Sequence, residues 1–234
     1  MKQKNEFRLW EEVFMFKLYT GTKTLTNAYE DYENAFGYKQ EDKINLPADP
    51  QVFIISDTHL GHNNIINYCF RPFKNTEEMD KTIISNWNNI VRPQDVVIHC
   101  GDFCLGKGGR NKVADSVKFY RKQLNGKIIL ILGNHDDKRC AYVGECDFEA
   151  AFFHYHKFSD LMCCHSLDYP PKDEFNNVRF TFYGHVHNND LNPINFTEKR
   201  CNICVEEINY TPFNITPFLT EEEYFAILKE VKGN

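Results

Sequence analysis

The chain reads QVFIISDTHLGH from Gln51 to His62. Phe53, Ile54 and Ile55 form a short run with the aliphatic and aromatic bias of a buried strand. The run stops on Asp57-Thr58-His59, and His62 follows three residues later. A buried strand ending this way delivers two ligand-type side chains at its carboxyl end, where open α/β sheets bind their ligands. Alone, the stretch fits a solvated Asp turn with a chance histidine equally well, because short motifs match by accident. The neighbouring strands decide.

Downstream, Asn75-Thr76-Glu77-Glu78 offers a capping-box start, and Met79, Ile83, Ile84, Trp87, Ile90 and Val91 recur at helical spacing until Arg92-Pro93. Residues 95–100 read as a second strand, 112–124 as a helix stopped at Asn125-Gly126, and 127–132 as a third strand. This alternation predicts parallel strands joined by right-handed crossovers. The later part changes character. Residues 161–164, 178–183 and 201–206 read as strands without long helices between them, which predicts a second, partly antiparallel sheet. His154 and His156 alternate with aromatics over 152–156, as in one half-buried strand. Thr220 opens a last helix, with Glu223 completing a capping box.

Each strand is followed by the same kind of chemistry: Asp57-Thr58-His59, Gly101-Asp102, Gly133-Asn134-His135-Asp136, His165, and Gly184-His185-Val186-His187. Seven of the nine histidines lie at or beside these ends, so chance is a poor explanation. Carboxylate, carboxamide oxygen and imidazole suit divalent Mn, Fe, Co, Ni and Zn. The set exceeds the four ligands of one structural zinc. It suits two adjacent ions sharing a carboxylate, an arrangement that clamps the attacking and leaving oxygens of a phosphoryl displacement. The glycines before the ligands allow a sharp turn and close backbone approach.

Bulk composition narrows the partners. With 42% hydrophobic and 26% charged residues, the 234-residue chain is that of a globular protein. A formal charge of −6 argues against a broad basic surface for duplex nucleic acid. The segment MKQKNEFRLWEE carries charges where a secretory leader is apolar, and no stretch has the length of a membrane helix. Nine scattered cysteines then read as free thiols in a cytoplasmic protein, with Cys201 and Cys204 as small buried hydrophobes in preference to half a zinc knuckle. The boundary at Leu46-Pro47-Ala48-Asp49-Pro50 divides an aromatic-rich extension, 1–49, from a main domain, 50–218, with a C-terminal helix over 219–234.

The motifs in this order resemble those of the calcineurin-like metallophosphoesterases (D-x-H, GD, GNH[DE], H, GHxH), and the likeness runs over residues 51–207. The D-T-H-x-G-H start resembles small bacterial and viral members. The resemblance implies an α/β fold, a four-layer αββα sandwich with two mixed sheets, and hydrolysis of phosphate esters by a metal-activated hydroxide. It implies two divalent metal ions, one held by Asp57, His59 and His187, the other by Asn134, His165 and His185, with Asp102 bridging. His135 would contact phosphate, as would Asn134, and would protonate the leaving oxygen, with Asp136 orienting its imidazole. Where serine/threonine phosphatases of this superfamily carry GDxVDRG, this chain has Gly101-Asp102-Phe103-Cys104-Leu105-Gly106 without the arginine. That shifts the expectation to a phosphodiesterase or small phosphatase acting on a nucleotide-like substrate. An RNA- or DNA-processing nuclease is the main alternative, and a non-catalytic scaffold of the same fold is disfavoured by the intact ligand set.

Outside the core motif, His62 and Arg71 are candidate substrate contacts, the guanidinium because it pairs phosphate oxygens bidentately. Arg71 fits a surface position before a proline turn equally well. His99 reads as a core or ligand-supporting histidine. The loop 106–110 lacks P-loop spacing and reads as a flexible segment from which Lys107 or Arg110 could reach substrate.

Overall fold

The computed structural model describes residues 49–105, 113–136, 147–191, 193–195 and 198–231. Expectations for the extension before Asp49, for Lys107 and Arg110, and for Cys140 and Cys146 lie outside the described residues.

Strands β1 (Val52–Ile55), β2 (Val96–His99), β3 (Lys127–Leu132) and β4 (Ala150–Phe153) pair in parallel, in that order. The short β10 (Phe213–Asn214) closes the other edge antiparallel to β1. Every residue of β1 and β2 is buried, as a parallel sheet covered on both faces requires. The second sheet has the order β5-β6-β7-β9-β8, from β5 (Tyr155–Phe158), β6 (Leu161–Cys164), β7 (Phe180–Tyr183), β8 (Ile194–Asn195) and β9 (Arg200–Asn202). Its outer pairs run antiparallel and its inner pairs parallel. Both sheets are therefore mixed, and the fold is the expected α/β sandwich.

Side-chain alternation sets the layers. Val52, Ile54, Val96, Ile98, Ile129 and Ile131 pack against Phe158, Leu161, Cys163 and Phe182 of the second sheet. Phe53, Ile55, Val97, Ile128 and Leu130 pack instead with Ile65 of α1 (Asn63–Tyr68), with Met79, Ile83 and Trp87 of α2 (Thr76–Ile90), and with Val117 of α3 (Val113–Arg121). Helix α4 (Glu221–Val231) contributes Tyr224, Ile227, Leu228 and Val231 to the core between the sheets. No helix among the described residues is long and apolar enough to cross a membrane.

The capping expectations are met, one with a variation. Asn75 Oδ1 accepts the Glu78 N–H at 2.9 Å, but the Glu78 carboxylate reaches Lys74 N at 2.8 Å, one residue before the usual partner. At α4 the exchange is reciprocal: Glu223 N donates to Thr220 Oγ1 at 3.2 Å and Thr220 N to Glu223 Oε2 at 2.8 Å. Arg179, just before β7, donates to the same Glu223 carboxylate at 2.7 Å and so ties the helix to the second sheet.

Two expectations change. Residues 152–156 are not one strand: β4 belongs to the first sheet and β5 to the second, and the chain passes between them at His154, whose backbone is left-handed at φ 65°. The alternating Phe and His pattern carries no Gly, Pro or Asn to signal that turn. The strand expected over 201–206 ends at Asn202, whose Oδ1 accepts Cys204 N at 3.0 Å while its amide donates to His187 O at 2.7 Å. The chain then leaves the second sheet to bond the end of β1, with Ser56 N donating to Ile203 O at 3.0 Å and Val205 N to Ser56 O at 3.1 Å. Helix α1 and strands β8 and β10 were not expected, being too short to show a period.

Trp87 is fully buried, and its indole N–H donates to Asn125 O at 2.9 Å, binding α2 to the turn before β3. Trp87→Ala is expected to lower the unfolding free energy by about 3–5 kcal/mol in urea titrations. A loss below about 1 kcal/mol would contradict this packing.

Candidate metal centre

The carboxyl ends of β1, β2, β3, β6 and β7 converge, and the chain turns sharply at each. Asp57, His59, Asp102, His185 and His187 all have left-handed backbone, with φ of 58°, 48°, 56°, 74° and 49°. Such conformations cost about 1–3 kcal/mol each outside glycine and persist only where the surroundings over-determine them. Here backbone bonds do so: Asp57 N donates to Gly101 O at 2.9 Å, His59 N to Asp102 O at 3.0 Å, and Gly184 N to His165 O at 3.0 Å.

The two central carboxylates are held in the same way. Asp57 Oδ2 accepts from the Ser56 hydroxyl, from His185 N at 2.9 Å and from the Cys204 thiol at 3.3 Å. Its Oδ1 is buried and makes no hydrogen bond. It faces His187 Nε2 at 3.6 Å and His59 Nε2 at 3.8 Å. Asp102 Oδ1 accepts His135 N at 2.9 Å, while Oδ2 lies 3.4 Å from His59 Nε2 and 3.5 Å from His165 Nε2. Asp102 Oδ2 therefore sits between imidazoles belonging to the two expected ligand groups.

The rings turn their nitrogens toward these oxygens. His165 Nδ1 lies 2.9 Å from Cys100 O, and its Nε2 lies 2.9 Å from Asn134 Oδ1. His187 Nδ1 is held by Glu206 Oε1 at 3.0 Å, turning its Nε2 inward. His59 Nε2 is buried without a hydrogen bond. The His185 ring lies 4.9 Å from that of His165 and joins Asp102 and His165 in one potential ligand group.

Cations fit this donor set. Two ligands at about 2.0–2.1 Å from one ion lie about 3–3.5 Å apart, close to several of these spacings. Buried acceptors without donors are costly unless a positive charge satisfies them. Burial would raise Asp57, but the imidazoles of His165, His187 and His59, with the Ser56 hydroxyl, outweigh it and hold the carboxyl well below its usual range. Burial and the Asp57 and Asp136 carboxylates push Asp102 up to about 7 against the influence of His165. Burial opposes charge on His187, yet hydrogen bonds with Cys69 and Glu206 and the nearby Asp57 push it up to about 10. His59 responds the other way, burial holding it well below the usual imidazole range despite Asp57 beside it.

Two expected roles are corrected. Arg71 is 4% exposed and cannot serve as a substrate clamp. Its guanidinium donates to Asp57 O at 2.7 Å, Thr58 O at 3.0 Å and Glu206 Oε1 at 2.8 Å, so its donors are engaged inside the protein. Asp136 does not orient His135. Its carboxylate accepts the backbone N–H groups of Asp102 and Gly133, each at 2.8 Å, and of Phe103 at 2.9 Å. It staples the loop after β2 to the loop after β3. His99 is fully buried with Nε2 2.9 Å from Thr58 Oγ1, a support beneath the site. His62 is half-buried, its Nδ1 3.4 Å from His59 Nδ1, and His135 is exposed at the mouth. Glu206 and Cys204 were not singled out as site residues. Arg71 and Glu206 form a relay that fixes the turn after β1 and the His187 ring together. The seven described cysteines are free and buried.

Close approach explains two glycines. A Cβ at Gly133 would lie 2.2 Å from Asp102 Oδ1, and one at Gly184 would lie 2.0 Å from Ser56 Oγ and 2.3 Å from Asp57 Oδ2. Gly184→Ala is expected to displace Asp57 and weaken divalent metal binding about 10–100-fold, the usual effect of disturbing a ligand's support. Titration with manganese measures it, and unchanged affinity would contradict the geometry.

Residues 50–217 match the family model described as calcineurin-like phosphoesterase. An uncharacterized protein of Methanocaldococcus jannaschii is 40% identical over 168 residues, 70% of this chain and 87% of that protein. Among solved structures, a protein of unknown function from Aquifex aeolicus superposes with a TM-score of 0.53 and 25% identity, over 71% of this chain and 96% of the other. A nuclease, MPE, of Pseudomonas putida gives a TM-score of 0.39 and 21% identity, over 58% and 60% of the two chains. With five strand ends delivering carboxylates, an amide and imidazoles to one cleft, and with its family model matched across most of its length, the chain belongs to the calcineurin-like phosphoesterases, a family of metal-dependent phosphoester hydrolases.

Proposed function

We propose that this protein hydrolyses phosphate esters of nucleotide-like compounds, as a phosphodiesterase or phosphatase, using two divalent cations. Asp57, His59 and His187 would hold one ion, Asn134, His165 and His185 the other, and Asp102 would serve both. One observation carries the reading: Asp57 Oδ1 and His59 Nε2 are buried, lack hydrogen bonds and face the same space as Asp102 Oδ2. Ions bound there would neutralise phosphate charge and lower the pKa of a bound water towards neutrality.

The remaining chemistry belongs to the chain. Asp102 is presented by the His135 backbone, so the same turn that aims the shared carboxylate leaves the His135 side chain free at the mouth. The His135 ring lies 5.6 Å from that of His59, and adjacent Asn134 Oδ1 faces His165 instead. This supports His135 as the group that gives a proton to the departing oxygen. His62, whose ring lies 6.5 Å from that of His135, lines the same mouth and contacts the phosphate. The buried free thiols accord with a reducing, cytoplasmic setting.

Replacing His135 by Ala or Asn is expected to leave metal content near that of the parent and lower turnover by about 10²–10⁴-fold. The deficit should be greater for simple alkyl leaving groups than for p-nitrophenolate, which departs without a proton. Elemental analysis and paired kinetics measure both. Loss of metal would make His135 a ligand, and equal deficits for good and poor leaving groups would remove the proton-donor role.

A further inference from the structure

Two exposed large apolar side chains stand on the segment that follows His62 at the mouth of the metal centre. Tyr68, the last residue of α1, is 68% exposed, and Phe70 is 87% exposed. The segment carrying them is not loosely held. Cys69 between them is buried, its N–H donates to Ile65 O at 3.0 Å, and its carbonyl accepts the Asn188 amide at 3.0 Å. Arg71, next to Phe70, is buried in the relay to Glu206, and its N–H donates to Ile66 O at 2.9 Å. Phe70 itself has left-handed backbone at φ 50°, a strained conformation for a bulky residue. Anchored on both sides, the chain thus holds an aromatic ring out in water.

We propose that Tyr68 and Phe70 form a stacking platform for a nucleobase one sugar removed from the reacting phosphate, so that the substrate is a nucleotidyl phosphodiester. The inference rests on the phosphoesterase reading of the metal centre and deepens it. Aromatic rings lead outward from the ligands: the His62 ring lies 5.3 Å from that of His59, and the Tyr68 ring lies 6.3 Å from that of His62. A planar group attached to a phosphate at the centre meets Tyr68 next beyond His62. Asn64, four residues before Tyr68 on α1, is exposed on the same side of the helix and offers an amide to a base edge. A protein net charge of −6 favours a short or single-stranded ligand gripped by stacking over a long duplex gripped through its phosphates.

The test uses the full chain loaded with manganese and compares kcat/KM for a dinucleotide with that for a diester of the same length whose bases are replaced by abasic sugars. The parent protein is expected to prefer the base-bearing diester. Replacing both aromatics (Tyr68→Ala with Phe70→Ala) is expected to lower its kcat/KM about 5- to 150-fold, the worth of a stacked base, with a far smaller change on the abasic diester. Tyr68→Phe with Phe70→Trp should restore the preference, because either ring still stacks. A parent protein that turns over bis-p-nitrophenyl phosphate but does not distinguish the two diesters overturns the platform and leaves the phosphoesterase reading standing. Equal losses on both diesters in the alanine variant overturn it too. Failure to hydrolyse either p-nitrophenyl phosphate or its bis ester overturns the underlying reading itself.

Discussion

Asp57 and Asp102 each fix one carboxylate oxygen by hydrogen bonds and turn the other toward imidazoles, and the rest of the site depends on that division. In Asp57 the engaged oxygen takes a hydroxyl, an amide and a thiol, and in Asp102 it takes the His135 amide. A carboxylate fixed through one oxygen has a defined direction for the other. Both inward oxygens then face imidazole nitrogens, a set of donors that a cation completes.

The fold exists to make those directions possible. Parallel strands from two sheets bring five chain turns to one edge, and the turns are tight enough to force left-handed backbone at five of the expected ligands. The cost is met by bonds between turns: Asp136 staples the loops after β2 and β3, and Arg71 joins the turn after β1 to Glu206 and, through it, to His187. Glycines at 133 and 184 supply the space the carboxylates occupy. Removing any of these supports alters the ligands without touching one.

Much of this was legible in the sequence, for a physical reason. Strand runs ending in Asp, His or Asn are a local pattern, and the order β1 to β3 with its crossovers follows from alternation alone. Both helix starts were visible because capping is chemistry between residues three apart. What was not legible lies in tertiary placement. Arg71 beside a proline turn reads as a surface residue, clamp or not, and the destination of its donors depends on Glu206, 135 positions away. Asp136 adjoins His135 in sequence, but its oxygens point back to amides of the loop after β2. His154 breaks a pattern that reads as one strand, since no turn residue marks the passage between sheets.

The central claim is that Asp102 is shared between two cations. Anomalous diffraction from a crystal soaked in manganese tests it most directly. The account predicts two peaks flanking Asp102 Oδ2, one against Asp57, His59 and His187 and the other against Asn134, His165 and His185. A single peak, or two peaks of which Asp102 touches one or neither, would contradict it.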